Sequence, residues 1–290
     1  MNVLVSGANG FVGKHVCNAL LAQNHSVIGL TQTVESLSHD IDARIKWLTY
    51  PIGKEKRSFN VESLHLDAVV HLAWPELDNY QSESHQNIYP IQHFDWLHNL
   101  IKQGVKKLQV VGTCFEYGLI EGCLDEHTVV MPHTCYGKGK NRLRQKLEEL
   151  QKHQRFCLQW PRLFYTYGEG QRINSFVPML KTAIASGQNE FKMSAGDQVR
   201  DYLPVEIISQ LLVRLLETEE SGIFNCSSNE PTTIRQLAQD IIEQAHASIH
   251  LLLGHYPYSP NEPKAFWGNN KKLLNALQLQ SIHDLQSIGR

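Results

Sequence analysis

The chain has 290 residues, 42% of them hydrophobic, and its 27 basic and 29 acidic side chains leave a formal net charge of -2. That length and apolar content suffice for one large core or two modest ones. The well-mixed charge gives no electrostatic case for nucleic acid or an anionic membrane as a main partner, and no apolar run reaches a membrane span.

The opening "MNVLVSGANG" enters an apolar stretch at once, without a charged leader and cleavage site, which predicts a cytoplasmic protein. Its first strand spans residues 2–6, and "VSGANGFVGKHV" then sets Gly7, Gly10 and Gly13 at the start of a helical pattern over 11–23. Gly7 permits a tight turn, Gly10 a close approach of backbone to a pyrophosphate, and Gly13 close packing of helix on sheet, with the helix N-terminus facing the phosphates. A strand over 26–30 follows, ending at Thr31-Gln32-Thr33, where a ribose-reading acid would stand about 20 residues after the glycines. With no acid and no arginine there, NADP or NAD remains open, with a lean to NADP. Residues 31–44 are weakly patterned, and an irregular second crossover is expected.

Further apolar runs at 45–49, 67–73, 108–112 and 156–160 alternate with helical patterns at 85–104 and 136–153. Short runs apolar throughout suit strands buried on both faces, and the alternation predicts an α/β fold, a doubly wound parallel sheet. After "WPRLFYTYGEGQ" the pattern changes: a helix over 175–187, a strand at "EFKM", a helix over 205–217, a strand at "GIFNCSS", and a helix in "TTIRQLAQDIIEQA". Thr233 is the expected cap of that last helix, with Gln236 at capping-box spacing. The expected division is 1–166 plus about 198–228 as the dinucleotide-binding part, and 167–197 plus 229–290 as a smaller, discontinuous α/β lobe.

The six cysteines are scattered and read as free thiols, and the 15 histidines lack metal spacing, so no metal is expected. Chemistry concentrates elsewhere. Thr113 closes the strand "LQVVG", where open α/β sheets hold ligands. Tyr136 and Lys140 stand one helical turn apart on one face. A tyrosine with its ordinary pKa near 10 is a poor acid or base at neutral pH. A cation one turn away, helped by an oxidised nicotinamide, is expected to favour the phenolate and lower that value. Gly137 and Gly139 interrupt the same turn, on positions expected to meet a bound dinucleotide or neighbouring elements, while Lys138 points to solvent.

In order along the chain, Gly7-x-x-Gly10-x-x-Gly13, "HLAW", "GTCFEYG", Tyr136-x-x-x-Lys140, "PRLFYTYGEGQ" and "RDYLPVE" resemble the extended short-chain dehydrogenase/reductases, the nucleotide-sugar epimerases, dehydratases and reductases. The resemblance runs from residue 1 to about 240. It implies a Rossmann domain, a C-terminal sugar-nucleotide lobe and a Thr113/Tyr136/Lys140 catalytic set. It further implies that Gly7, Asn9, Gly10, Phe11, Val12, Gly13, Thr31, Leu72, Ala73 and Leu163 line the cofactor with Tyr136 and Lys140, the lysine holding the nicotinamide ribose. Substrate would meet Trp74, Thr113, Tyr136 and Arg200, the arginine on the nucleotide diphosphate. A homodimer through 85–104 and 136–153 is what the resemblance implies for assembly.

The family's dehydratases carry Thr-Asp-Glu where this chain has Thr113-Cys114-Phe115, so elimination lacks its acid and base, and Glu116 comes one residue late, on the other side of an extended segment. Reductase and 4-epimerase remain. "HLAWPELDNY", "GTCFEYG" and "LFYTYGEGQ" look most like bacterial reductases of dTDP-4-dehydro-6-deoxyglucose and related CDP-sugar 4-reductases, which implies a place in deoxysugar and surface polysaccharide biosynthesis. A non-catalytic dinucleotide sensor is the reading from another class, against which the intact Thr113/Tyr136/Lys140 set argues.

Overall fold

The structure, a computed structural model, describes residues 1–33, 42–54 and 59–285. Seven strands build one sheet: β1 (Asn2–Ser6), β2 (Ser26–Thr31), β3 (Lys46–Thr49), β4 (Ala68–His71), β5 (Lys107–Val110), β6 (Cys157–Leu163) and β7 (Gly222–Cys226). Their order is β7-β6-β5-β4-β1-β2-β3, every pairing parallel, and the short strand Gly112–Thr113 adds to the end of β6. The principal helices are α1 (Phe11–Ala22), α2 (Tyr89–Lys102), α3 (Cys135–Gln151), α4 (Phe176–Ala185), α5 (Val205–Glu217) and α6 (Ile234–Gln244).

The doubly wound sheet follows from strands apolar on both faces. In β1, Val3 and Val5 face α1 and α5, while Leu4, one residue out of phase, joins Leu97, Leu100, Leu143 and Leu147 of α2 and α3 on the other side. Strand order reverses between β1 and β4, so the loops leaving those two strands open the crevice where such sheets take ligands. The helical pattern at 85–104 forms two helices, Ser84–Asn87 and α2, broken at Ile88. Pro90 at the start of α2 has no N–H to continue the first helix.

Beyond the sheet, α4 and α6 enclose a second apolar core with Phe191, Met193 and Ile249. The parallel pair Glu190–Lys192 and His250–Leu252 belongs to the same region. Thr233 caps α6 by accepting from the Gln236 N–H at 3.0 Å, but the Gln236 amide turns to Asp240 at 2.8 Å, so the reciprocal half of the capping box is not made. Among the described residues no helix is long and apolar enough to cross a membrane.

Candidate active site

The loop after β1 is shaped by close approaches. Gly7 has φ +72°, and a β-carbon there would lie 2.8 Å from the Ala73 nitrogen, on the loop that leaves β4. The two loops of the crevice therefore touch at Gly7. Side-chain atoms at Gly13 would overlap the Gly7 carbonyl, so α1 rests directly on the turn. At Gly10 an added β-carbon would meet, beyond its chain neighbours and among the described residues, the Gly7 oxygen alone within 4 Å, at 3.1 Å, which leaves the loop's outer side open. Gly10 caps α1 without a side-chain hydrogen bond, so the N–H groups of Phe11 and Val12 in the first turn have no side-chain cap. An open glycine cradle before a 12-residue helix fits a dinucleotide pyrophosphate. Asn9 lies within this loop, Leu72 follows β4, and Leu163 ends β6. Thr31 ends β2, buried, its hydroxyl donating to the Thr33 carbonyl at 3.1 Å. Beyond Thr33, most of the weakly patterned crossover (34–41) lies outside the described residues.

At the start of α3, Thr134 caps the helix by accepting from the Gly137 N–H at 3.0 Å. A β-carbon at Gly137 would overlap the Phe115 carbonyl oxygen, and one at Gly139 the carbonyl oxygen of His85. Of the two roles expected for these glycines, contact with neighbouring elements is the one found. They let the first turn of α3 press onto the turn after β5 and onto the segment Ser84–Asn87. Lys138 is exposed, as expected.

Tyr136 stacks on Tyr80 (centroids 4.9 Å apart, planes at 18°) and meets Phe115 edge-on at 6.2 Å. Lys140 is buried, its Nζ donating to the Val111 carbonyl at 2.9 Å and lying 4.3 Å from the centre of the Trp74 ring. The lowered tyrosine is expected with an oxidised nicotinamide bound; in the chain alone the shift runs the other way. Burial, and then Tyr80, push the Tyr136 phenol well above its ordinary value, and the Thr113 hydroxyl, a hydrogen-bonding neighbour, pulls only partly the other way. Burial drags Lys140 itself down to about 7, against an upward pull from Glu116. In this state Tyr136 is a protonated acid.

Thr113 is buried and begins a 3-10 turn, Cys114–Glu116, rather than an extended segment. Its Oγ1 accepts from the Phe115 N–H at 3.3 Å. Glu116 is fully buried. Its Oε1 accepts from the Thr113 N–H and from Trp160 Nε1, both at 2.9 Å, and its Oε2 from Arg162 Nε at 2.9 Å. That carboxylate organises the turn. It is unsuited to elimination chemistry, but through its bonds rather than through strand alternation.

Trp74, expected on the sugar pocket, is only 8% exposed and packs beneath α3 instead. Its Nε1 donates to His85 Nδ1 at 2.9 Å, and its ring stacks on His93 at 4.9 Å and touches Tyr136 edge-on at 6.2 Å. Arg200 is buried, with Nη2 on the Glu262 carboxylate at 3.0 Å and Nη1 on the Val199 and Lys264 carbonyls at 2.8 and 3.1 Å. The Tyr165 hydroxyl donates to the same Glu262 oxygen at 2.5 Å.

Glu262, Tyr80 and His85 escaped the sequence reading, and so did a buried hydrogen-bonded row of Ser6, His71 and His93 with spacings of 2.6 and 2.7 Å. Glu262 sits in "YSPNEPKAF", which has no periodicity to reveal it. Tyr80 lies within "HLAWPELDNY", a stretch singled out as a phrase but not residue by residue.

A sequence model of the NAD dependent epimerase/dehydratase family matches residues 3–227. The dTDP-6-deoxy-L-talose 4-dehydrogenase (NAD(+)) of Aggregatibacter actinomycetemcomitans is 28% identical over 271 residues, covering 92% of this chain and 99% of that protein. The UDP-glucose 4-epimerase of Rhizobium meliloti is 24% identical, covering 99% of this chain and 94% of its own. Among solved structures, the UDP-glucose 4-epimerase of Thermotoga maritima with UDP-glucose superposes with a TM-score of 0.85 at 21% identity, covering 100% of both chains.

Proposed function

The chain belongs to the NAD-dependent epimerase/dehydratase family, and from that premise we propose that it reduces the 4-keto group of a nucleotide-linked 4-keto-6-deoxyhexose, of which dTDP-4-dehydro-6-deoxyglucose fits best. The observation that carries this reading is the Tyr136 phenol, held protonated by burial with the Thr113 hydroxyl beside it. Reduction of a ketone needs an acid at the oxygen as the carbon gains hydride, which a bound nicotinamide supplies. Tyr136 donates the proton, Thr113 shares the same oxygen, and Lys140 holds the nicotinamide ribose. The glycine cradle from Gly7 to Gly13 takes the pyrophosphate. Arg200 takes the substrate diphosphate, in competition with Glu262.

Other observations support it. The turn Thr113-Cys114-Phe115 offers no free carboxylate, and Glu116 is fully engaged, which disfavours elimination. A relative whose name carries a dTDP-linked 6-deoxy sugar and redox at position 4 matches along nearly its whole length. The neutral Thr31-Gln32-Thr33 neither clamps a ribose diol nor repels a 2′-phosphate, which suits an exchangeable cofactor with NADPH accepted. A second reading, 4-epimerisation, is favoured by the end-to-end match to a UDP-glucose 4-epimerase.

Incubation with NADPH or NADH and a panel of dTDP-, CDP- and UDP-linked 4-keto-6-deoxy sugars tests the proposal. Loss of nicotinamide absorbance with the dTDP sugar is expected, with no conversion of UDP-glucose to its 4-epimer. Epimer formation without net cofactor use would promote the second reading.

A further inference from the structure

The surroundings of Lys140 hold an unusual feature. Its buried ammonium meets a single oxygen, the Val111 carbonyl, and no carboxylate is bonded to it among the described residues. The groups facing it come from four elements. Glu116, on the turn after β5, is the one carboxylate that favours its charge, yet both Glu116 oxygens are committed to Thr113, Trp160 and Arg162. His71 from β4 and His93 from α2 are held neutral, by burial first. Tyr136 stands one turn earlier on α3. What remains is the Trp74 ring at 4.3 Å.

That ring is fixed from several sides. Trp74 Nε1–H donates to His85 Nδ1, so His85 carries its own hydrogen on Nε2, which donates to the Asn79 carbonyl at 2.9 Å. The indole also stacks on His93. Gly139 completes the clamp: a β-carbon there would overlap the His85 carbonyl and come within 3.3 Å of Trp74 Cζ2. An indole presents the strongest aromatic face to a cation, and more so where water is excluded. Leucine or phenylalanine would fill only part of the space here and could not bond His85.

We propose that Trp74 is a positioning residue that holds the Lys140 ammonium in its charged form against the indole face, with His85 fixing the plane of the ring. Burial draws Lys140 down to about 7 even with Glu116 pulling the other way, and the ring face at 4.3 Å opposes the loss of its charge. The consequence for turnover rests on the proposed function. The charge itself does not, and is read separately.

Lysine labelled with carbon-13 at Cε gives the titration of Lys140 by NMR, its resonance identified by loss in Lys140→Arg. The protein is made with ordinary tryptophan, then with mono- and trifluorinated analogues, which drain the ring face with little change of shape. Of the five tryptophans only Trp74 lies under a cation among the described residues; Trp160 can reach Lys140 through its bond to Glu116, and Trp74→Phe protein carrying the same analogues gives that share, to be subtracted. The Lys140 midpoint should fall stepwise with fluorine, by about one unit, or tenfold in protonation, at the end of the series. Trp74→Phe and Trp74→Leu both open space and admit water, but only phenylalanine keeps a ring, so the leucine midpoint should be the lower. Midpoints unmoved by fluorine, or equal in the two variants, would overturn the proposal even in an enzyme that reduces keto sugars. A falling midpoint in a protein without that activity would sink the proposed function and leave this inference standing.

Discussion

Lys140 and Arg200 are both nearly sealed from solvent, 2% and 1% exposed, yet the fold treats their charges in opposite ways. Lys140 has a carbonyl and a ring, and burial pulls it down to about 7. Arg200 has a carboxylate and two carbonyls. Burial pulls it down too, but Tyr165 and Glu262 outweigh that and leave it above its ordinary value. One cation is left adjustable, beside the tyrosine proposed as the proton donor. The other is permanent, as suits a grip on an anion. Under the proposed function the difference separates a place for proton chemistry from a place for recognition, and substitutions at the two should fail in different ways.

The largest effect is expected at the proton end. Tyr136→Phe should lower turnover by about 10²–10⁴-fold while leaving NADPH binding nearly intact, since it removes the acid and little else. Steady-state rates beside a fluorescence titration of NADPH check both halves. At the other end, Arg200→Gln should raise KM for the nucleotide sugar by roughly tenfold to a hundredfold with kcat changed much less, the mark of lost binding rather than lost chemistry. If kcat collapsed with KM unmoved, the division between the two cations would be wrong.

Smaller effects sharpen the proton end. Gly139→Ala drives a β-carbon into the His85 carbonyl and should cost about 1–3 kcal/mol of stability by urea unfolding. Lys138→Ala, on an exposed position of the same turn, should stay within about 0.5 kcal/mol. His93, below Trp74, supplies a pH signature. Burial holds it neutral, with its pKa down to about 3, while the unfolded chain takes up a proton near pH 6.5. Above that value the group contributes nothing. Between 6.5 and 3 only the unfolded chain binds the proton, so stability should fall with falling pH by up to about 1.4 kcal/mol per unit. Urea midpoints at pH 7, 6 and 5 should therefore show a shallower slope in His93→Phe than in the parent chain.

Much of the sheet was legible because its strands are apolar on both faces and bounded by turns: β1 and α5 fall on their expected residues. The glycine loop and the pair Tyr136 and Lys140 were visible because their spacing is local. What the sequence concealed joins segments with no shared period. Trp74 and His85 stand 11 residues apart, Arg200 and Glu262 62 apart, and nothing in either stretch marks the other. Tyr80, which stacks on Tyr136 and adds to the upward pull of burial, likewise arrives from a loop far from α3 in the chain. Gly137 and Gly139 announced a close approach but not its partners, which are carbonyls of Phe115 and His85.

Transfer of label tests the central claim most directly. Reduced nicotinamide dinucleotide carrying deuterium at both C4 positions is incubated with the protein and dTDP-4-dehydro-6-deoxyglucose, and the sugar is read by NMR and mass spectrometry. The account predicts one deuterium at sugar C4 for each cofactor oxidised, and almost none transferred by Tyr136→Phe. A C4 product without that deuterium, or a 4-epimer formed from UDP-glucose with no cofactor oxidised, would contradict it.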